Sequence, residues 1–270
     1  MTRAVSAALS AALMALAFFA AVPAVSAHTT NFNGTVSLSN CSGAVIRWTT
    51  SHATDEAVML TNGHCYELMG SHQVVVDQPS VRDVALLRSN GSTAAVVETT
   101  TLLYATMSRT DVALYELGLT YKQLHNRFGV DAITLASTQP SPKDEAISII
   151  SGYWGLEYDC NLNGFAYRLH EDVYTWRNSL RYSDGGCQVI SGTSGSPVLN
   201  ANRLEIGINN TINENGERCT LDNPCEENSH GVITVHQNRG YGQETWLFYT
   251  CLSSNQLHLS KLGCKLPKPA

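Results

Sequence analysis

The stretch Gly192-Thr193-Ser194-Gly195-Ser196-Pro197 places a serine between two glycines. Small neighbours let the chain turn tightly and let a substrate carbonyl come close to the backbone. In such a turn the amide N–H groups of Gly192 and Ser194 can point together at one oxygen, the one that becomes negative when Ser194 attacks a carbonyl carbon. Glycine-serine turns are also ordinary loop material, so the stretch means little without partners.

Two other stretches supply them. Val58-Met59-Leu60-Thr61-Asn62-Gly63-His64-Cys65 ends an apolar strand in a glycine turn that carries a histidine beside a cysteine. A bond from Cys65 to the upstream Cys41 would tie two strands and fix the loop that holds His64. The ordinary alternative is a surface histidine next to a structural disulfide. A histidine acting as a base needs a buried carboxylate at its other ring nitrogen, to set the tautomer and stabilise the imidazolium. Two aspartates stand in the same Asp-Val-Ala-Leu context, Asp83 and Asp111. If histidine and aspartate sit on loops that face each other across one barrel, several strands must lie between them. Asp111 meets that condition. Asp83 follows His64 too closely and reads as a solvated strand-end charge beside Arg82 or Arg88.

The segments that would position these residues read as short strands rich in valine, threonine and leucine, separated by Gly/Ser/Asn/Asp breaks. In the first half they are 32–38, 44–50, 57–61, 73–77, 84–88, 93–99 and 111–117. In the second they are 132–136, 146–151, 165–169, 176–182, 197–200, 204–209, 231–236 and 245–249. Residues 121–128 suit either a short helix or an extended connector. Thr138-Gln139-Pro140-Ser141-Pro142 is the strongest linker signal. Long helical periodicity is missing between the strands, which argues against an alternating βα sheet and for antiparallel barrels or sandwiches.

Residues 1–27 carry one charge, Arg3, then an apolar run that ends in Val25-Ser26-Ala27. That is the pattern of a cleaved signal peptide, and it predicts a secreted, extracellular protein. The chain has 17 basic and 23 acidic side chains, a net −6, and loss of Arg3 with the leader brings it to −7. This balance speaks against nucleic acid or an anionic membrane as partner. The 8 cysteines all follow the leader, and an even number in an exported chain reads as disulfides. No Cys-x-x-Cys and no zinc-type Cys/His spacing occurs, so neither a metal nor another cofactor is expected.

Taken together, Thr-Asn-Gly-His-Cys with an upstream cysteine, then Asp-Val-Ala-Leu, then Gly-Thr-Ser-Gly-Ser-Pro resemble the chymotrypsin-like (trypsin-like) serine endopeptidases, in the His, Asp, Ser order of that family. The last motif is most similar to the bacterial secreted branch that includes glutamyl endopeptidases. The resemblance spans 42–250 in layout and is tight at the three motifs. It implies an all-β fold of two packed antiparallel six-stranded β-barrels with the active site in the cleft between them. The first barrel would span 28–137, and the second barrel with a C-terminal tail 138–270. His64 would be general base and acid, Asp111 its orienting partner and Ser194 the nucleophile, with the Gly192 and Ser194 amides as oxyanion hole. The floor of the primary pocket would be Gln188, with Val189, Asn209 and Asn210 as further substrate-binding residues. Gln188, Val189 and Ile190 carry no charge, so a preference for arginine or lysine at the cleaved bond is not expected.

The departures from the family are specific. Asn62-Gly63 replaces a pair of alanines, Ser196 replaces a glycine, and the cleft wall through Asn209-Asn210-Thr211 lacks the common Trp-Gly pair. Thr193 stands where animal digestive members carry an aspartate. The cysteines read locally as Cys41–Cys65, Cys160–Cys187, Cys219–Cys225 and Cys251–Cys264. The acidic segment 214–227 reads as a solvated surface loop rather than a calcium site, and Trp154, Trp176 and Trp246 as core. The expected partners are protein or peptide substrates, met by a monomer free of the membrane once the leader is removed. Two other readings compete: an inactive protease homologue that only binds, and a secreted serine esterase, which would want Gly-x-Ser-x-Gly and βα alternation.

Overall fold

The computed structural model describes residues 29–142, 145–183 and 187–269; the expected leader lies outside them. The first sheet contains β1 (Thr35–Ser37), β2 (Ser42–Arg47), β3 (Glu56–Thr61), β4 (Val74–Pro79), β5 (Asp83–Leu87), β6 (Thr93–Glu98), β7 (Thr101–Thr106), β8 (Val112–Thr120) and β9 (Ile133–Thr134). Its order is β4-β7-β8-β3-β2-β1-β5-β6, with β9 added in parallel to β2. The pairing that matters most for function is β3 with β8, where Thr61 lies opposite Ala113 and Leu60 opposite Leu114. The end of β3 that runs into His64 is thereby set beside the start of β8, just after Asp111.

Between β8 and β9 the segment Tyr121–Phe128 is a helix, α1. Its sequence explains both ends. Thr120 and Gln123 form a reciprocal capping box, and Gly129 takes the left-handed conformation (φ 68°) that closes the last turn.

The second sheet contains β10 (Glu145–Ser151), β11 (Leu156–Glu171), β12 (Tyr174–Tyr182), β13 (Pro197–Asn200), β14 (Glu205–Ile212), β15 (Cys225–Glu227), β16 (Ile233–Val235) and β17 (Gly240–Glu244). β10 pairs with both β11 and β13, so β10-β13-β14-β17-β12-β11 returns on itself as a closed ring of six antiparallel strands. The fold is nearly all-β, made of two curled antiparallel sheets. Closure removes edges that would otherwise leave backbone N–H and C=O groups unpaired.

The two sheets share their core. One cluster of buried side chains joins Val36, Met59 and Tyr115 of the first sheet to Leu169, Trp176 and Tyr241 of the second. A second cluster joins Ile46 and Tyr104 to Leu199, Ile208 and Phe248.

Several stretches differ from the sequence expectations. Residues 245–249, expected as a strand, belong to a 3-10 turn at Trp246–Cys251, where Phe248 packs beside Trp48 and Tyr104. β7 was not expected at all. Nor was β17, whose glycines hide a strand: a Cβ on Gly242 would run into the Tyr182 hydroxyl and the Ile208 carbonyl, so packing requires glycine there.

Candidate active site

His64 stands in the turn that follows β3. Gly63 before it is sterically required, because a Cβ there would meet the Thr106 carbonyl and Asp111 Oδ1. The turn is held by Cys65 N–H donating to Asn62 O (3.3 Å) and Tyr66 N–H to Gly63 O (2.9 Å). The Cys41–Cys65 disulfide adds a covalent tie to the segment entering β2. The other three bridges join Cys160–Cys187, Cys219–Cys225 and Cys251–Cys264.

Asp111 is fully buried. Its Oδ2 lies 2.7 Å from His64 Nδ1, and its Oδ1 accepts the His64 backbone N–H at 3.0 Å. The buried Asn62 amide donates to the Asp111 carbonyl at 2.8 Å, which fixes the aspartate relative to the histidine turn. Asp83, in the same tetrapeptide context, is exposed at the start of β5. Arg82 beside it turns away to the Cys65 carbonyl and Asn40 Oδ1.

Ser194 arrives on a turn with positive φ at Gly192 (87°) and Gly195 (76°), the conformation that favours glycine. Its carbonyl accepts from Ser42 N–H at 2.8 Å, linking the turn to β2. The Ser194 hydroxyl donates to the Asn210 carbonyl at 3.3 Å. Thr193 is buried, with its hydroxyl donating to Ile190 O at 2.5 Å and accepting from Asn209 Nδ2 at 2.9 Å.

His64, Gly192 and Ser194 line one cleft of about 260 Å³. Asp111 sits behind His64, so the Nε2 edge of the ring is left for the cleft. Burial pulls the His64 imidazole down, and the Asp111 charge and hydrogen bond more than offset it, so its pKa stands above 6.5. Such a pair can accept a proton from a hydroxyl while the carboxylate stabilises the resulting imidazolium.

Val189, Asn209 and Asn210 line the same cleft, but Gln188 does not. Cys187 and Val189 are buried, and Gln188 between them is exposed to solvent. Gln188 is therefore not the floor of a pocket. The argument against arginine or lysine at the cleaved bond loses its footing with it, because the carboxylates of Glu171, Glu214 and Asp222 line the cleft instead.

Glu171 was not anticipated. It ends β11 and is 4% exposed, with Thr211 Oγ1 donating to Oε2 (2.6 Å) and Asp222 N–H to Oε1 (3.2 Å). Burial lifts its carboxyl from 4.5 to about 7 in spite of those two bonds. Only the hairpin and disulfide geometry brings it to the cleft, and no local pattern marks it.

Two further readings are corrected. Trp154, expected in the core, is 47% exposed in the β10–β11 turn, and its Nε1–H donates to Ser191 O at 2.9 Å. The acidic segment is not merely a solvated loop. Glu226 is largely buried and bonded to Arg181, Arg239 and the Tyr241 hydroxyl, and Glu227 to Arg168 and His170. Paired arginines, rather than water, balance these two carboxylates.

The family model described as the trypsin-like peptidase domain matches residues 41–208. No curated protein matches. Among solved structures, the apo MamO protease domain from Magnetospirillum magneticum is similar with a TM-score of 0.50 at 13% identity, over 84% of this chain and 99% of that one. The HtrA-type protease AlgW with decapeptide is similar with a TM-score of 0.47 at 18% identity, over 77% of this chain and 48% of that longer one. The structural likeness concerns the fold alone; the domain match covers well over half of the residues, including all three motifs, and the chain belongs to the trypsin-like peptidase family.

Proposed function

We propose that this protein is a secreted serine endopeptidase that cleaves peptide bonds through an acyl-enzyme. Membership of the trypsin-like peptidase family supports a peptidase. The observation that carries the finer reading is the Asp111–His64 pair opening onto the same cleft as Ser194. The Ser194 hydroxyl attacks the substrate carbonyl carbon and its proton passes to His64 Nε2. The oxyanion is held by the Gly192 and Ser194 amides. The tetrahedral adduct collapses with loss of the amine, which takes the proton from His64. Water, deprotonated by the same histidine, then releases the acid from Ser194. The four disulfides fit an oxidising, extracellular setting, and the enzyme acts as a monomer on peptide or protein substrates.

One observation favours a second reading, a homologue that binds without cleaving: the Ser194 hydroxyl is directed to the Asn210 carbonyl. Hydrogen bonds in unliganded catalytic sites are commonly long and tighten only with substrate, so this contact does not decide between the two readings. A fluorophosphonate probe distinguishes the readings. An endopeptidase is labelled at Ser194 and hydrolyses peptide amides, and Ser194→Ala abolishes both while the protein stays folded. An unlabelled wild-type protein would overturn the proposal, and labelling with cleavage of esters only would make it an esterase.

A further inference from the structure

The Ser191–Gly192 peptide decides whether the oxyanion hole exists, because one of its two donors is the Gly192 N–H. In a trans peptide the carbonyl of one residue and the N–H of the next point in opposite directions. No cis peptide bond occurs among the described residues. Whatever holds the Ser191 carbonyl therefore also aims the Gly192 N–H.

The holder is the Trp154 indole, whose Nε1–H donates to Ser191 O at 2.9 Å. Ser191 and Gly192 line the cleft, whereas Trp154 stands outside its lining. The carbonyl is thus drawn away from the cleft and the Gly192 N–H faces into it. If this peptide flipped, the carbonyl would enter the hole and the Gly192 N–H would confront the indole N–H, donor against donor. The flipped state would also leave the indole without its acceptor.

The turn that carries Trp154 is itself anchored. Tyr153 N–H donates to Ser42 Oγ (3.1 Å) and Trp154 N–H to Ser151 Oγ (3.3 Å). Ser42 Oγ and Ser151 Oγ are bonded to each other at 3.0 Å, and both serines are fully buried. Tyr153 packs edge-on against the indole, with centroids 5.0 Å apart. At Gly192 a Cβ would strike Tyr153 and Trp154 Nε1, so the closeness of this turn and φ of 87° both require glycine.

We propose that Trp154 is a positioning residue, which holds the oxyanion hole open by fixing the Ser191 carbonyl through its indole N–H. This rests on the peptidase reading above. The indole lies outside the residues that line the cleft; it biases a two-state peptide whose competent state supplies a donor to the transition state. Loss of such a bias lowers kcat and leaves KM nearly unchanged, because the hole is occupied only when the oxyanion forms.

The test is Trp154→Phe, which keeps an aromatic ring and removes the donor, with Trp154→Leu as a second variant. Three quantities are measured for each: kcat and KM on a peptide amide, affinity for a peptide aldehyde, and affinity for the matching product peptide. The aldehyde forms a tetrahedral adduct whose oxygen occupies the hole, and the product peptide does not use it. The expected result is a fall in kcat and in aldehyde affinity of roughly tenfold to a hundredfold, with product affinity within about twofold. Equal losses for aldehyde and product, or no loss of aldehyde affinity in a folded variant, would overturn the proposal. Failure of the peptidase reading looks different: the wild-type protein would then neither bind the aldehyde nor react with a fluorophosphonate.

Discussion

Asp111 holds His64 by both of its carboxylate oxygens, one on the ring Nδ1 at 2.7 Å and one on the backbone N–H at 3.0 Å. The same group therefore sets the tautomer of the ring and the position of the turn that carries it. Asp111→Asn would place an N–H where one of these acceptors stands. A loss in kcat of about 10⁴ is the expected scale for a catalytic histidine held in the wrong tautomer. Asp83→Asn, at an exposed strand end, leaves kcat within about twofold. Assaying both purified variants on one peptide substrate checks the assignment, and a severe loss at Asp83 with none at Asp111 would reverse it.

The pH dependence follows from the sign of the histidine shift. His64 serves as a base only when neutral, and its pKa stands above 6.5 because Asp111, with smaller contributions from Glu171 and Asp222, outweighs burial. Activity should therefore rise with pH through a midpoint above 6.5. Glu171→Gln removes one of the negative charges facing the ring and should move that midpoint down. Profiles of kcat/KM against pH for the two proteins measure it directly.

Glu171 also makes a prediction about stability. Its folded-state pKa is raised from 4.5 to about 7, so the folded state holds this proton more tightly than the unfolded chain does. Folding is unaffected by it below about pH 4.5 and is penalised progressively as pH rises towards 7. The full penalty is on the order of 3 kcal/mol. Urea unfolding at pH 4.5 and pH 8 should show Glu171→Gln gaining on the wild-type protein at the higher pH. An unchanged difference between the two conditions would show that Glu171 ionises normally.

Thr193 bears on how the proposed peptidase would become active. In the digestive relatives an amino group freed by proteolysis pairs with an aspartate at this place, whereas here the Thr193 hydroxyl bridges Ile190 O and Asn209 Nδ2. Both bonds are made within the chain and require no new terminus. A protein starting at His28, with further trimming blocked, should be fully active. Thr193→Val keeps the shape and takes the acceptor from the buried Asn209 amide, while Ile190 O keeps the Thr193 backbone N–H at 3.0 Å, at a cost of about 1–3 kcal/mol. Its activity should fall, and activity of the wild-type protein that appears only after trimming would refute the argument.

Sequence alone carried some of this a long way and the rest not at all. The contrast between Asp111 and Asp83 was legible, although each opens the same Asp-Val-Ala-Leu tetrapeptide, because strand count between loops separates them. β17 was hidden because Gly240 and Gly242 look like loop residues until Tyr182 is packed against them. The run Trp246-Leu247-Phe248-Tyr249 has strand-like composition, yet it is spent on a tight turn that buries Phe248. Gln188 was placed by counting back from the nucleophile, and burial alternation around Cys187 and Val189 turned it outward. Glu171 and Trp154 meet their partners 40 and 37 residues away, through strand pairings that no local pattern announces.

The disulfides have one further consequence. Cys41–Cys65 lies within the first half, Cys160–Cys187 and Cys219–Cys225 within the second, and Cys251–Cys264 within the C-terminal tail. None of them stitches one sheet to the other, while the proposed catalytic trio is divided between the two, with His64 and Asp111 on one bank and Ser194 on the other. The shared apolar core, the backbone bridges Arg109–Trp176 and Leu135–Glu205, and hydrogen bonds such as Ser42 N–H to Ser194 O keep the banks in register. Catalysis thus serves as a gauge of that seam. Under mild denaturant each covalently pinned half can keep its strands while the seam slips, and turnover will vanish before the circular dichroism of the sheets begins to fade.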